Sequence, residues 1–114
     1  MIVAKGDKVH LIYRALYENA IRRHFVGEVV ATDGALCRIV GHAYIYDEQE
    51  GTYTKRPERR TTIANVAESG YIVNIIGADV DLDKVSYRYI GEVGLVVTDG
   101  KEFTLNINEF GPKS

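Results

Sequence analysis

The chain has little cysteine: Cys37 is alone among 114 residues. An internal disulfide is therefore excluded, which fits a reducing compartment and leaves burial to hold the fold together. Charge of one sign is also lacking. Fourteen Lys and Arg against sixteen Asp and Glu leave a net charge of -2. No global basic field can recruit nucleic acid or an anionic membrane, so any polyanion site must be a local patch. The opening MIVAKGDK has no apolar signal core, and no run approaches membrane-spanning length. A soluble, cytoplasmic protein is expected. Catalytic signatures are missing too: there is no HExxH, GxSxG, P-loop or CxxC. Ser69, Ser86 and Ser114 have no histidine nearby in sequence. The expectation is a non-enzymatic chain with no cofactor and no bound metal.

What is present is strand-forming. Hydrophobic residues make up 46%, enough for the core of one domain, and eleven Gly and eight Tyr against two Pro suit short strands with Gly turns. The organising stretch is FVGEVVATDGALCRIVGHAYI, residues 25–45. Asp33-Gly34 between two apolar runs is a hairpin signal, because Gly takes the left-handed position without steric cost. A three-residue loop, Thr32-Asp33-Gly34, with Gly34 as a bulge sets Val30 opposite Leu36, Glu28 opposite Arg38, Val26 opposite Val40 and Phe25 opposite Gly41. The odd positions, among them Phe25, Val29, Cys37 and Ile39, carry no charge and form the expected core face.

In chain order, a first strand alternates through Val9, Leu11 and Tyr13, and residues 15–20 read as a loop. Residues 21–31 and 35–46 are the second and third strands, with Gly27 and Gly41 marking bends of the kind a small barrel needs at its corners. Residues 47–60 are polar and read as a long loop, with a small hairpin possible across Glu48 to Gly51. Residues 61–67 and 71–76 are the fourth and fifth strands, joined by the turn Glu68-Ser69-Gly70. GADVDLDK, 77–84, is the expected boundary, so the division is 1–77 for a barrel and 78–114 for a hairpin extension. That extension pairs 85–97 with 101–107 around Thr98-Asp99-Gly100 and echoes the first hairpin: Tyr89-Ile90-Gly91-Glu92-Val93 aligns with Phe25-Val26-Gly27-Glu28-Val29. Duplication and convergence on one hairpin pattern both explain the echo.

Five strands with a tight hairpin between the second and third resemble the Sm and Sm-like small β-barrel family over about residues 8–77. Val26-Gly27-Glu28-Val29, Asp33, Leu36 and Ile39 look like the first Sm motif; Val66-Ala67-Glu68-Ser69-Gly70-Tyr71-Ile72-Val73 looks like the second. The same alternation also describes SH3-like barrels. The resemblance implies an all-β Sm- or SH3-like barrel, and rings formed by pairing strand four with strand five of a neighbour. It departs where the family binds RNA. Gly34 and Ala35 stand after Asp33 in place of the family's Asn, and Ser69-Gly70 replaces its Arg-Gly, so the base-reading pocket does not carry over.

Three groups of residues remain. The even face of the first hairpin, Val26, Val30, Leu36, Val40, Tyr44 and Tyr46, is too apolar to stay wet and is expected to be covered by the C-terminal hairpin or by another subunit. Lys55, Arg56, Arg59 and Arg60 cluster beside Tyr53, with Arg22 and Arg23 at the start of strand two; guanidinium and aromatic groups together suit single-stranded RNA. A solvated loop, diluted by Asp47, Glu48, Glu50 and Glu58, is the plainer reading. His10, His24 and His42 fall in a row if His24 lies opposite His42 and strands one and two pair with Arg14 opposite Ala20. Such a row could hold zinc or copper, but three in line make poor tetrahedral geometry, and exposed or interface histidines are expected. Cys37, on the core face, reads as a packed thiol. The function expected is a non-enzymatic, homo-oligomeric small barrel with single-stranded RNA as a candidate ligand; the alternative is an oligomeric structural or protein-interaction module without nucleic acid.

Overall fold

The computed structural model describes residues 2–13, 22–68 and 70–107. Nine strands and one short 3₁₀ turn follow one another: β1 (Lys8–Tyr13), β2 (Arg23–Asp33), β3 (Leu36–Asp47), β4 (Thr52–Lys55), β5 (Arg60–Asn65), β6 (Tyr71–Ile76), the turn Leu82–Lys84, β7 (Ser86–Ile90), β8 (Gly94–Thr98) and β9 (Thr104–Asn106). The loop expected over 15–20, and Ser69 of the expected turn, lie outside the described residues. The first six strands form one antiparallel sheet in the order β4-β3-β2-β1-β6, with β5 also on β3; β7-β8-β9 form a second. The chain is all-β, but the larger sheet is not a closed barrel, which corrects the barrel expectation. Among the described residues β5 pairs only with β3 and β6 only with β1.

The central hairpin forms where expected, with a different turn. Asp33 pairs with Leu36, so Gly34 and Ala35 make the tip. Gly34 has φ +59 and, among the described residues, no non-Gly residue has positive φ, the pattern of a II′ turn with Gly first. The bulge is at Val30, between the pairs Val29↔Ile39 and Ala31↔Arg38, and not at Gly34. Beyond it Glu28 faces Val40, Gly27 faces Gly41 and Val26 faces His42. The slip from the expected register is two residues, so the faces are preserved. Val9, Leu11, Phe25, Val29, Cys37 and Ile39 are buried in one cluster with Ala64 of β5, and Tyr71 and Val73 of β6 pack on it. Residues from five strands can meet only if the sheet curls around this face, and the facing glycines sit at the bend. A Cβ on Gly41 would lie 2.5 Å from Gly27 Cα.

The expected long loop 47–60 contains a strand, β4, between two turns. β4 lies on the second half of β3 and β5 on the first half, both antiparallel. Between them residues 56–59 leave the ladder, held by Arg56 N–H donating to the Ala43 carbonyl at 2.9 Å. The long arm expected at 85–97 is itself folded back: β7 and β8 form a hairpin around Gly91-Glu92-Val93, with Gly91 and Gly94 at φ +40 and +100. The aligned segment Phe25 to Val29 stays within one continuous strand, β2, so the echo in sequence is not an echo in shape.

The three-stranded sheet covers the other face of the large one. Val26, Tyr44, Tyr53 and Ile76 pack against Val80, Val85, Tyr87, Leu95, Val97 and Ile107. Gly41→Ala is expected to destabilise the fold by about 1–3 kcal/mol, the range for overpacking a tight site. Gly70→Ala, which meets nothing within 4 Å, should stay within about 0.5 kcal/mol of the parent. Urea denaturation of both variants checks the contrast.

Candidate functional site

The pairing of β1 with β2 sets His10 opposite Val26 and Ile12 opposite His24. His10 and His24 are thus diagonal neighbours on one face, and β6 places Asn74 opposite His10. This is the face covered by the second sheet. From β7, Tyr87 reaches into it. His10 Nε2 lies 3.1 Å from His24 Nδ1 and 3.0 Å from the Tyr87 hydroxyl, and that hydroxyl is 2.5 Å from His24 Nδ1. The Asn74 amide nitrogen is 3.3 Å from His10 Nδ1. Both histidines are 0% exposed.

Four atoms this close need their hydrogens assigned. The amide nitrogen of Asn74 donates to His10 Nδ1, which must then be bare. His10 carries its hydrogen on Nε2 and donates to the Tyr87 oxygen. Tyr87 O–H donates to His24 Nδ1, giving the shortest contact of the group, as an O–H donor should. The sequence Asn74 → His10 → Tyr87 → His24 runs in one direction with every group neutral. Burial supports neutrality: it lowers the His10 pKa to about 4. It also raises Tyr87 well above the usual phenol value, with Tyr53 and Tyr44 adding to the effect. Aromatic rings pack around the node. Tyr53 stacks on His24 at 4.2 Å and on Tyr87 at 4.7 Å between centroids, and burial pushes Tyr53 and Tyr44 up to about 12. Tyr44 O–H donates to the Val85 carbonyl at 3.2 Å, a second polar tie between the sheets.

The other expected site residues separate. His42 does not face His24; it pairs with Val26, and His24 pairs with Tyr44, because the hairpin register slips by two. His42 lies half-buried in a groove of about 500 Å³ with Lys8, Glu28, Arg59, Asp79 and Asp83. Burial lowers its pKa, Lys55 and Arg59 adding to the fall and Asp83 opposing it. The straight row of three is therefore two buried histidines and one groove histidine. Among the described residues no group of three His, Cys, Asp or Glu could hold a metal ion. Cys37 is 1% exposed and burial raises its thiol pKa.

Of the proposed RNA-contacting residues, Arg23, Lys55, Arg56, Arg59 and Arg60 are exposed. Tyr53 is buried, its ring taken by His24 and Tyr87, so it cannot offer a face to a base. Arg22 sits 3.8 Å over the ring of Tyr46, a cation–π contact. Of the apolar patch, Val26 and Tyr44 are covered by the chain's own second sheet. Val30, Val40 and Tyr46 are half-buried and Leu36 is 47% exposed. Sequence reasoning missed Tyr87: one Tyr in the alternation Ser-Tyr-Arg-Tyr-Ile carries no mark of the partner it will meet. No helix among the described residues is long and apolar enough to cross a membrane.

Tyr87→Phe removes a donor to His24 and an acceptor for His10 inside an apolar cluster. It should cost about 1–3 kcal/mol, the penalty for a buried polar group left unpaired, with the circular dichroism spectrum unchanged. Chemical denaturation followed by tyrosine fluorescence and by far-ultraviolet dichroism reads both. Comparison with protein-family models, with curated proteins and with solved structures finds no match to this chain.

Proposed function

We propose that this chain is a non-enzymatic β module that assembles with copies of itself, head to tail, through the two open edges of its larger sheet. The observation that carries the reading is β6. Its sequence, Tyr-Ile-Val-Asn-Ile-Ile, is that of an interior strand, yet β6 pairs on one side only among the described residues. It lacks the Lys, Pro or bulge with which edge strands are normally blunted, and Ile75 is 55% exposed. At the other end of the sheet β5 is open in the same way, with Ile63 62% exposed. In the Sm-like resemblance, strands four and five are β5 and β6 here, with β4 added in the variable loop.

Geometry supports pairing β5 of one copy with β6 of the next. Thr62 and Ala64 face the curled side of the sheet, opposite Ile39 and Cys37; Val73 and Ile75 face it opposite Leu11 and Val9. An antiparallel register with Ala64 on Val73 and Thr62 on Ile75 continues that face from copy to copy. The basic run before β5, with Arg56, Arg59 and Arg60, then points toward the acidic run after β6, with Asp79 and Asp81, so the flanks attract. Head-to-tail pairing that closes gives a ring and leaves no edge unpaired. Ile75→Lys places a charge at an edge position that is 55% exposed. Light scattering at micromolar concentration should report an oligomer for the parent and a folded monomer for this variant. A parent that is monomeric at every concentration overturns the proposal.

A second reading, single-stranded RNA along residues 55–60, is favoured by the exposure of Lys55, Arg56, Arg59 and Arg60 on one edge. Binding of that kind is weak and falls steeply with salt, because each phosphate contact releases counterions. Replacing Arg56, Arg59 and Arg60 together by Ala should abolish retention of a labelled single-stranded oligonucleotide at low salt. Absence of any binding by the parent leaves the self-assembling module alone.

A further inference from the structure

We propose that the mouth of the curled sheet, between the end of β5 and β6, is a binding site for an uncharged aliphatic molecule. Curling brings Ala64 of β5 and Tyr71 and Val73 of β6 onto one apolar cluster. It does so without pairing the two strands among the described residues. A cavity of about 430 Å³ is left between them. Val3 and Cys37, 8% and 1% exposed, form its floor. Val66 and Ala67, just past β5, form one wall, and Tyr71 and Val73 of β6 form the other.

The cavity has the size of a ligand site. Its volume is about three times that of the ~150 Å³ apolar cavity that takes up benzene, and small-molecule pockets begin at about 300 Å³. The chain's own side chains do not close it. Val66, Tyr71 and Val73 stay half-buried, and Ala67 is exposed at the rim. Water held against these walls finds few of the two to four polar partners it needs. An aliphatic chain has no hydrogen bonds to lose by entering, and it takes the apolar walls out of water.

The lining selects against charge. No Lys, Arg, His, Asp or Glu stands among the described residues that line the cavity. Its polar side chains are the Cys37 thiol and the Tyr71 hydroxyl. Burial raises the pKa of both, so both are neutral, and Tyr71 is hydrogen-bonded to Tyr13, with the rings 4.9 Å apart. A buried ion would find no partner there. Glu68 adds a sign preference outside the cavity. Its carbonyl accepts from the Tyr71 N–H at 3.2 Å, its side chain is exposed, and its charge adds to the rise at the Tyr71 hydroxyl. A carboxylate head at this rim is repelled. The ligand class therefore narrows from fatty acids to neutral aliphatic molecules such as alcohols. The described lining belongs to a single chain, so the site does not rest on the self-assembly proposed above.

Titration of the full chain at neutral pH with 1-octanol and with octanoate, followed by methyl resonances, tests this. The two probes share one tail and differ in the charge of the head. 1-Octanol should shift the methyls of Val3, Val66 and Val73 saturably and leave those of Val26, Val85 and Val97, in the cluster between the sheets, in place. Octanoate should bind about tenfold or more weakly than the alcohol. Ala67→Phe, which narrows the mouth from an exposed position, should weaken 1-octanol about tenfold or more. If that variant fails to fold, the methyl map of the parent and the comparison of the two heads decide. No saturable shift up to the solubility of 1-octanol overturns the proposal. So do shifts centred on Val26, Val85 and Val97, octanoate binding as tight as that of the alcohol, or unchanged affinity in a folded Ala67→Phe.

Discussion

A polar node sealed between two β layers must place every hydrogen, and here that requirement fixes how the layers meet. His10 and His24 stand on a face otherwise formed by Val26, Tyr44 and Ile76. A purely apolar cover would take from both imidazoles the Tyr87 hydroxyl that they share, a buried polar contact whose loss costs on the order of 1–3 kcal/mol. A solvated face would leave the aliphatic and tyrosine surface wet. Tyr87 answers both demands, with a ring that packs on Tyr53 and Tyr44 and a hydroxyl that both receives and donates. β7 is tied to the larger sheet by this side chain, by Tyr44 O–H donating to the Val85 carbonyl and by the shared apolar cluster.

The larger sheet solves a different problem on its two faces. Its odd face is buried by curling, which the bend at Gly27 and Gly41 permits. Its even face is covered around Val26 and Tyr44 by the second layer. Among the described residues β5 and β6 each pair on one side only, which leaves backbone hydrogen-bonding capacity along those edges. Edges are where backbone groups recognise other backbone groups without reading side chains. The polar chemistry of the His10–His24–Tyr87 node lies out of reach of solvent. The exposed cations of residues 55–60 stand between β4 and the start of β5.

Much of this was legible in the residues. The alternation through 25–45 gave both strands of the central hairpin, and the face carrying Phe25, Val29, Cys37 and Ile39 is buried as that alternation requires. The face survived an error in the turn because the register moved by two, the period of a strand. The turn itself was misread. Asp33-Gly34 fits a three-residue loop and a two-residue loop alike, and the choice depends on where the strands can absorb a bulge, here at Val30. Residues 47–60 look like a loop by composition, yet β4 lies within them, since β3 is long enough to pair with β4 as well as with β5, the strand expected at 61–67. Gly91 and Gly94 break what reads as one strand, because positive φ at both folds the chain back.

The sequence by itself determined that the chain is all-β, where its central hairpin lies, and that the even face of that hairpin needs a cover. Those properties follow from side-chain alternation and turn residues, which act over a few positions. Only the tertiary structure decided what the cover is, which residues meet under it, and which edges stay open. Val26 and Tyr44 are covered in cis because 85–107 folds back over them. Tyr53, adjacent to a basic run in sequence, is drawn inward to His24 and Tyr87, since a ring that can stack on two others loses more by staying in water. Tyr87 lies 63 residues from His24 and 77 from His10. Contacts of that separation leave no local period to read, and they exist only once both sheets have formed and packed.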